Sequence, residues 1–170
     1  RTVADGEALA AGTHTLRVVA TPGHRFDHLC LWHVASGVLF AGDLLAGNGT
    51  VVVIPPEGDM GAYLASLTRV GALPLKRIWR GHGPAIDDPL DKIAEYVAHR
   101  LAREAAVLAA LHAAATPQTV AQLVPVVYAD TDPRMHGWAA QSLLAHLLKL
   151  AAEGRVTQHD DQWALPAEAR

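Results

Sequence analysis

The chain has 170 residues, about half of them apolar, a formal charge of −3 with histidine neutral, and a single cysteine. That length allows one domain or two small ones, and the charge excludes a protein held on nucleic acid or anionic lipid mainly by bulk attraction, although not a local basic groove. One cysteine excludes an intrachain disulfide and a zinc-knuckle cysteine set and is compatible with a reducing, cytoplasmic setting; no run is long and apolar enough to span a bilayer.

The first residue is Arg1, with no charged-then-apolar leader after it, so the chain reads as internal to something longer, or processed. The first half predicts short strands. THTLRVVAT (13–21) has a β-branched, apolar centre, and HLCLWHV (28–34) is similar, with Cys30 as a packing residue. VLFAGD (38–43) follows after Ala35-Ser36-Gly37, a hairpin signal. TVVVI (50–54) is a further strand-like run, ended by Pro55-Pro56. In DMGAYLASLTRV (59–70), Met60, Tyr63, Leu64, Leu67 and Val70 recur at helical spacing. KRIW (76–79) reads as a strand that ends in the turn RGHGP.

The second half is helical. Pro89 sits in the first turn of a long helix, capped by Asp87 or Asp88, with Ile93, Tyr96, Val97, Leu101, Leu108 and Leu111 as its stripe. Thr116-Pro117 breaks it. A shorter helix, TVAQLVPVVY, contains Pro125, which kinks or ends it. A third helix runs from Asp132-Pro133 to about Glu153, carries Trp138, Leu143, Leu144, Leu147, Leu148 and Leu150, and stops at Gly154. RVTQ and QWAL then flank HDD as a small hairpin. Three helices followed by a two-stranded hairpin is the order of a winged helix. The expected division is therefore 1–87, strand-rich, and 88–170, helix-rich.

Three residues stand at the ends of strand-like runs, each preceded by glycine: His24 in TPGH, Asp43 in FAGD and His82 in RGHG. Glycine makes sharp turns and permits close backbone approach. Imidazole nitrogen and carboxylate oxygen are donors that zinc, iron and manganese accept. Each motif alone is also an ordinary turn; it is their order and shared strand context that points to a metal site.

TPGHRFDHLCLW, VLFAGDLLAG and RGHGPAI resemble the later motifs of the metallo-β-lactamase-fold hydrolases. AEYVAHRLAREAAVL, the helices after it and EGRV resemble the β-lactamase-like protein 2 branch, which carries an appended C-terminal winged-helix domain. The fold class this implies is α/β: the C-terminal part of an αββα metallo-β-lactamase sandwich, then a mainly helical winged-helix domain. By resemblance His24 is a terminal ligand of a first metal, Asp43 a bridging and catalytic ligand, and His82 a terminal ligand of a second. The cofactor implied is zinc, two per complete protein. The chemistry implied is attack of a metal-activated hydroxide on a thioester or ester, with an endoribonuclease acting on single-stranded RNA, or a non-catalytic winged-helix binding module, as alternatives. One departure matters. No two histidines here are separated by a single residue, so the family's His-x-His-x-Asp-His signature is absent. The expectation is a C-terminal portion with an incomplete site, little or no hydrolytic activity alone, and an apolar sheet face around Val18, Leu29, Leu31 and Val52 left open for self-association.

His28 orients a ligand or is a surface histidine at a strand start. Arg80 meets an anionic substrate or is simply exposed. His99 and Arg103 belong to an HR-x-x-RE pattern matching the branch and face the active-site mouth, or else the helix surface, where Arg100 and Glu104 pair four residues apart. His33 is structural; His14, His112 and His159 are solvated. From Ala115 onward four basic residues face six acidic ones, a poor phosphate-binding footprint. The helix best suited to a groove offers Ser142, His146 and Lys149. That favours a packing or substrate-gating domain over a DNA reader.

Overall fold

In a computed structural model, residues 2–46, 50–114 and 116–167 are described. Gly47 of the LLAG stretch, and Glu168 and Arg170 of the charge count, lie outside them.

Five strands form the first sheet: β1 (Ala8–Ala11), β2 (His14–Ala20), β3 (Leu29–His33), β4 (Val38–Phe40) and β5 (Arg77–Trp79), in that spatial order. The first three pairings are antiparallel and β4–β5 is parallel. The expected strand at 50–54 joins no ladder. It runs extended, with Val51 and Val53 buried, and its polar groups turn to side chains: Val52 O to His24, Val53 N to Ser142. β1 carries no strand signal, because Ala-rich ALAA favours helix. Tertiary pairing to β2 decides its conformation instead.

Alternation along β2–β5 sends Val19, Cys30, Leu39 and Ile78 to one face, where α1 (Met60–Gly71) packs Met60, Tyr63, Leu67 and Val70. Asp59 caps α1 by accepting the Ala62 N–H. Tyr63 sits at the centre of this core, fully buried, its hydroxyl donating to Leu44 O at 2.8 Å. The other face is more open: Leu29 and Leu31 are partly buried, and Phe40 and Trp79 are 45% and 46% exposed. Val18, expected to be open, is buried, because the segment before β1 lies along it: Gly6 N donates to Val18 O and Val18 N to Glu7 O.

α2 (Pro89–Ala114) joins two cores. Ile93 and Tyr96 belong to the first, Val107 and Leu111 to a second built with α3 (Val120–Val127), α4 (His136–Ala152), Val156 and Trp163. A boundary at 88 therefore falls at the start of a helix that both units share. The stripe differs from the expected one. Its buried line runs Ile93, Tyr96, Arg100, Glu104, Val107, Leu111, and Leu101 is 49% exposed. Two charged residues occupy core-facing positions that the apolar pattern assigns to leucine.

β6 (Gln118–Thr119), β7 (Thr157–His159) and β8 (Gln162–Ala164) form a second sheet in the order β6-β8-β7. With α2, α3 and α4 this is a winged helix. A short 3-10 turn, Pro133–Met135, leads into α4. Ser142, His146 and Lys149, expected to face a groove, point inward instead: Ser142 and His146 are buried and Lys149 binds Glu104 at 2.7 Å. The polar residues that would read a groove are thus packed inward, and the outward face of α4 presents Trp138 and Leu148. No helix among the described residues is long and apolar enough to cross a membrane.

Candidate metal-ligand site at one sheet edge

β2 and β4 are each antiparallel to β3, and β4 is parallel to β5. β2, β4 and β5 therefore run in the same direction, and the segments that leave their C-terminal ends emerge at one edge. Those segments carry His24, Asp43 and His82.

Close backbone approach brings the Asp43 and His82 turns together. Gly81 N donates to Gly42 O at 2.7 Å, and a β-carbon on Gly81 would lie 2.8 Å from Asp43 Oδ1. A side chain at position 81 would displace the Asp43 carboxylate and crowd Gly42 O at 3.2 Å. Gly23 is equally constrained: its φ is +139° and a β-carbon would fall 2.2 Å from Tyr63 Cα. His82 Nε2 lies 3.8 Å from Asp43 Oδ1, and both side chains are at least half exposed at the opening. His24 Nδ1 bonds Val52 O at 2.8 Å, so Nδ1 carries the proton and Nε2 keeps its lone pair. That is the tautomer a metal-ligating histidine uses.

His28 has no free nitrogen. Its Nε2 accepts the Asp43 N–H at 3.2 Å, so Nδ1 is protonated and donates to Thr21 Oγ1 at 2.8 Å. The Thr21 hydroxyl lies 3.3 Å from Cys30 Sγ, and that thiol donates to Ala41 O. Read in one direction, every donor in this chain has an acceptor. Burial, and then the neighbouring His24, lower the His28 pKa and keep the ring neutral, as an acceptor must be. Burial pushes the Cys30 thiol up to about 11, so it remains a donor. The His24 and His28 rings meet edge-on, with centroids 6.4 Å apart. His28 thus ties the Asp43 turn to the ends of β2 and β3 and places His24 beside it.

Arg80 is neither a free surface cation nor aimed at the opening. Its guanidinium donates to Pro84 O and to Ala46 O, fastening the RGHGP turn. His99 and Arg103 line a cavity against α4, with Thr50 and Val52 on its wall. Arg103 is held by Val127 O and by Asp130 at 2.8 Å. The expected Arg100–Glu104 pair is not formed: Glu104 binds Lys149 and Arg155 instead, because both arginine and glutamate are turned into the core.

The donor types suit zinc or a similar ion, but their number does not close a shell. Among the described residues no group of three or more histidine, cysteine, aspartate or glutamate side chains is placed to hold a metal. Asp43 and His82 are the close pair, and His24, whose ring meets that of His28, leaves the same end of the sheet.

A family model described as the metallo-beta-lactamase superfamily matches residues 2–82, and one described as a beta-lactamase associated winged helix domain matches residues 119–163. A beta-lactamase-like protein 2 homolog from Caenorhabditis elegans is 36% identical over 156 residues, 91% of this chain and 50% of that protein. An atrochrysone carboxyl ACP thioesterase from Paecilomyces divaricatus is 31% identical, over 92% of this chain and 51% of its own length. The crystal structure of a metallo-beta-lactamase family protein from Thermus thermophilus superposes with a TM-score of 0.83 at 30% identity, over 96% of this chain and 54% of that one. The chain spans about half the length of these relatives.

Proposed function

Because the chain belongs to the metallo-β-lactamase superfamily and carries that superfamily's associated winged helix, we propose that it serves a metal-dependent hydrolase of thioester or ester substrates. The single observation that supports this reading is the Asp43–His82 pair, with His24 leaving the same end of the sheet and its Nδ1 bound to Val52 O. The thioester class draws support from the thioesterase name of the Paecilomyces relative.

His24, Asp43 and His82 would hold zinc, two ions per complete protein, together with donors outside this set. In a protein of the relatives' full length, the half that this chain does not span would supply them. Bound zinc would lower the pKa of its water toward neutrality and polarise the scissile carbonyl. The chain's own residues hold positions. Val52 O fixes the His24 ring, the neutral His28 anchors the Asp43 backbone, and Arg80 braces the turn that carries His82. An RNA-reading role for the winged helix is disfavoured, since Ser142 and His146 of α4 are buried and its outward face presents the apolar Trp138 and Leu148.

Two assays test this. The 170-residue chain, supplied with zinc and a generic thioester, is expected to turn over little or none. A protein carrying the same sequence at the relatives' full length is expected to hydrolyse the thioester, with activity lost on Asp43→Ala and on metal chelation. Turnover by the short chain, abolished by Asp43→Ala, contradicts the incomplete site. No turnover by the long, zinc-loaded protein contradicts the hydrolase reading.

A further inference from the structure

A cavity of ≈ 320 Å³ opens between α2, Tyr128 at the end of α3, and α4, with Thr50 and Val52 on its wall. Arg100 lines it and is 1% exposed. A guanidinium is always protonated, and a buried charge is costly without a counter-charge. Yet no carboxylate among the described residues pairs with Arg100. Among its contacts are the Val51 carbonyl, which accepts from Nη2, and the Tyr63 side chain, whose ring lies 5.3 Å away and which also hydrogen-bonds the guanidinium. Its Nε has no partner, and neither have two other buried atoms on the same lining, Tyr128 Oη and His99 Nδ1. The charges around it do not supply what is missing. Arg103 is balanced by Asp130, and Glu104, one turn along, is taken by Lys149 and Arg155. The wall of the cavity thus holds two unused donors, Arg100 Nε and Tyr128 Oη, and none of its lining residues is acidic.

Its location is equally specific. Val51 O receives Arg100 and Val52 O, the next carbonyl, receives His24. One short extended segment therefore separates the cavity from the sheet edge that carries the candidate metal ligands. We propose that this cavity binds an oxyanion, the phosphate or carboxylate end of the substrate, through Arg100, with Tyr128 and His99 as further donors. Arg is suited to either group because its planar fork matches both. The word "substrate" rests on the hydrolase reading above; the anion site itself does not.

Calorimetric titration of the chain with inorganic phosphate and, separately, malonate, both in the presence of EDTA, tests it without metal or turnover. Saturable binding of at least one anion is expected, weakened at least tenfold by Arg100→Met and severalfold by Tyr128→Phe, which keeps the ring and removes only the hydroxyl. A preference for phosphate indicates a phosphate-bearing substrate, and a preference for malonate a carboxylate-bearing one. If Arg100→Met fails to fold, as judged by circular dichroism, Tyr128→Phe alone decides. Absence of binding to the wild-type chain, or equal binding by the folded variants, overturns the proposal and leaves a cavity filled by water. Anion binding that persists in a protein unable to hydrolyse thioesters sinks the hydrolase reading and not this one.

Discussion

Thr21 is fully buried, and its hydroxyl sits between an imidazole N–H and a thiol. Thr21→Val keeps the shape and removes the link. It leaves the His28 Nδ1–H orphaned, at an expected cost of about 1–3 kcal/mol by urea denaturation; an unchanged midpoint contradicts the hydrogen-bonded chain. His146 makes the opposite kind of prediction. It is wholly buried with neither ring nitrogen partnered, and burial, then the nearby Arg100, Lys149, His99 and Arg103, lower its pKa from 6.5 to about 3. As pH falls below about 6.5 the unfolded chain binds this proton and the folded one does not. The stability present above pH 6.5 is therefore lost progressively toward pH 3. His28 and His99 are lowered too and act in the same direction. His146→Leu is expected to flatten the acid limb of a Tm-against-pH profile without abolishing it. A parallel profile contradicts a buried neutral ring.

At the scale of elements, α2 is the least legible part of the chain. Its apolar residues suggest a stripe through Leu101, but a helix serving two cores presents more than one face, and its middle turns Arg100 and Glu104 inward. Nothing in a periodicity of apolar residues marks a buried charge whose partners, Lys149 and Arg155, lie more than forty positions away along the chain. Glu104→Ala removes the buried carboxylate that Lys149 and Arg155 share; both keep Glu153 and Arg155 is half exposed, so the expected cost is about 1–3 kcal/mol, still more than an exposed helix-surface pair would. A loss below 1 kcal/mol in denaturant contradicts the network. α3 is easier to read. Thr119 and Gln122 form a capping box at its start, a signal present as Thr-x-x-Gln. Thr119→Ala is expected to cost about 1 kcal/mol in the same measurement. The extended run at 50–54 shows the limit of β-propensity, which marks a half-buried surface and not a ladder.

For the whole molecule, convergence is a consequence of strand direction. His24, Asp43 and His82 are 19 and 39 residues apart, yet β2, β4 and β5 point the same way and deliver all three to one edge. The motifs marked three glycine-preceded turns, and strand direction carries those turns to one end of the sheet. They did not reveal that His28 is committed at both nitrogens, that Arg80 is bound to two carbonyls, or that His99 and Arg103 line a cavity against α4, since each depends on contacts between distant segments. The account therefore stands on the three donors responding as one unit. Titrating paramagnetic Co²⁺ into the isotope-labelled chain and following its NMR signals tests this most directly. Resonances of His24, Asp43 and His82 are expected to broaden together at the lowest Co²⁺ concentrations, and Asp43→Ala to abolish the effect. Broadening led by exposed His14 or His159, with His82 and His24 unaffected, would contradict it.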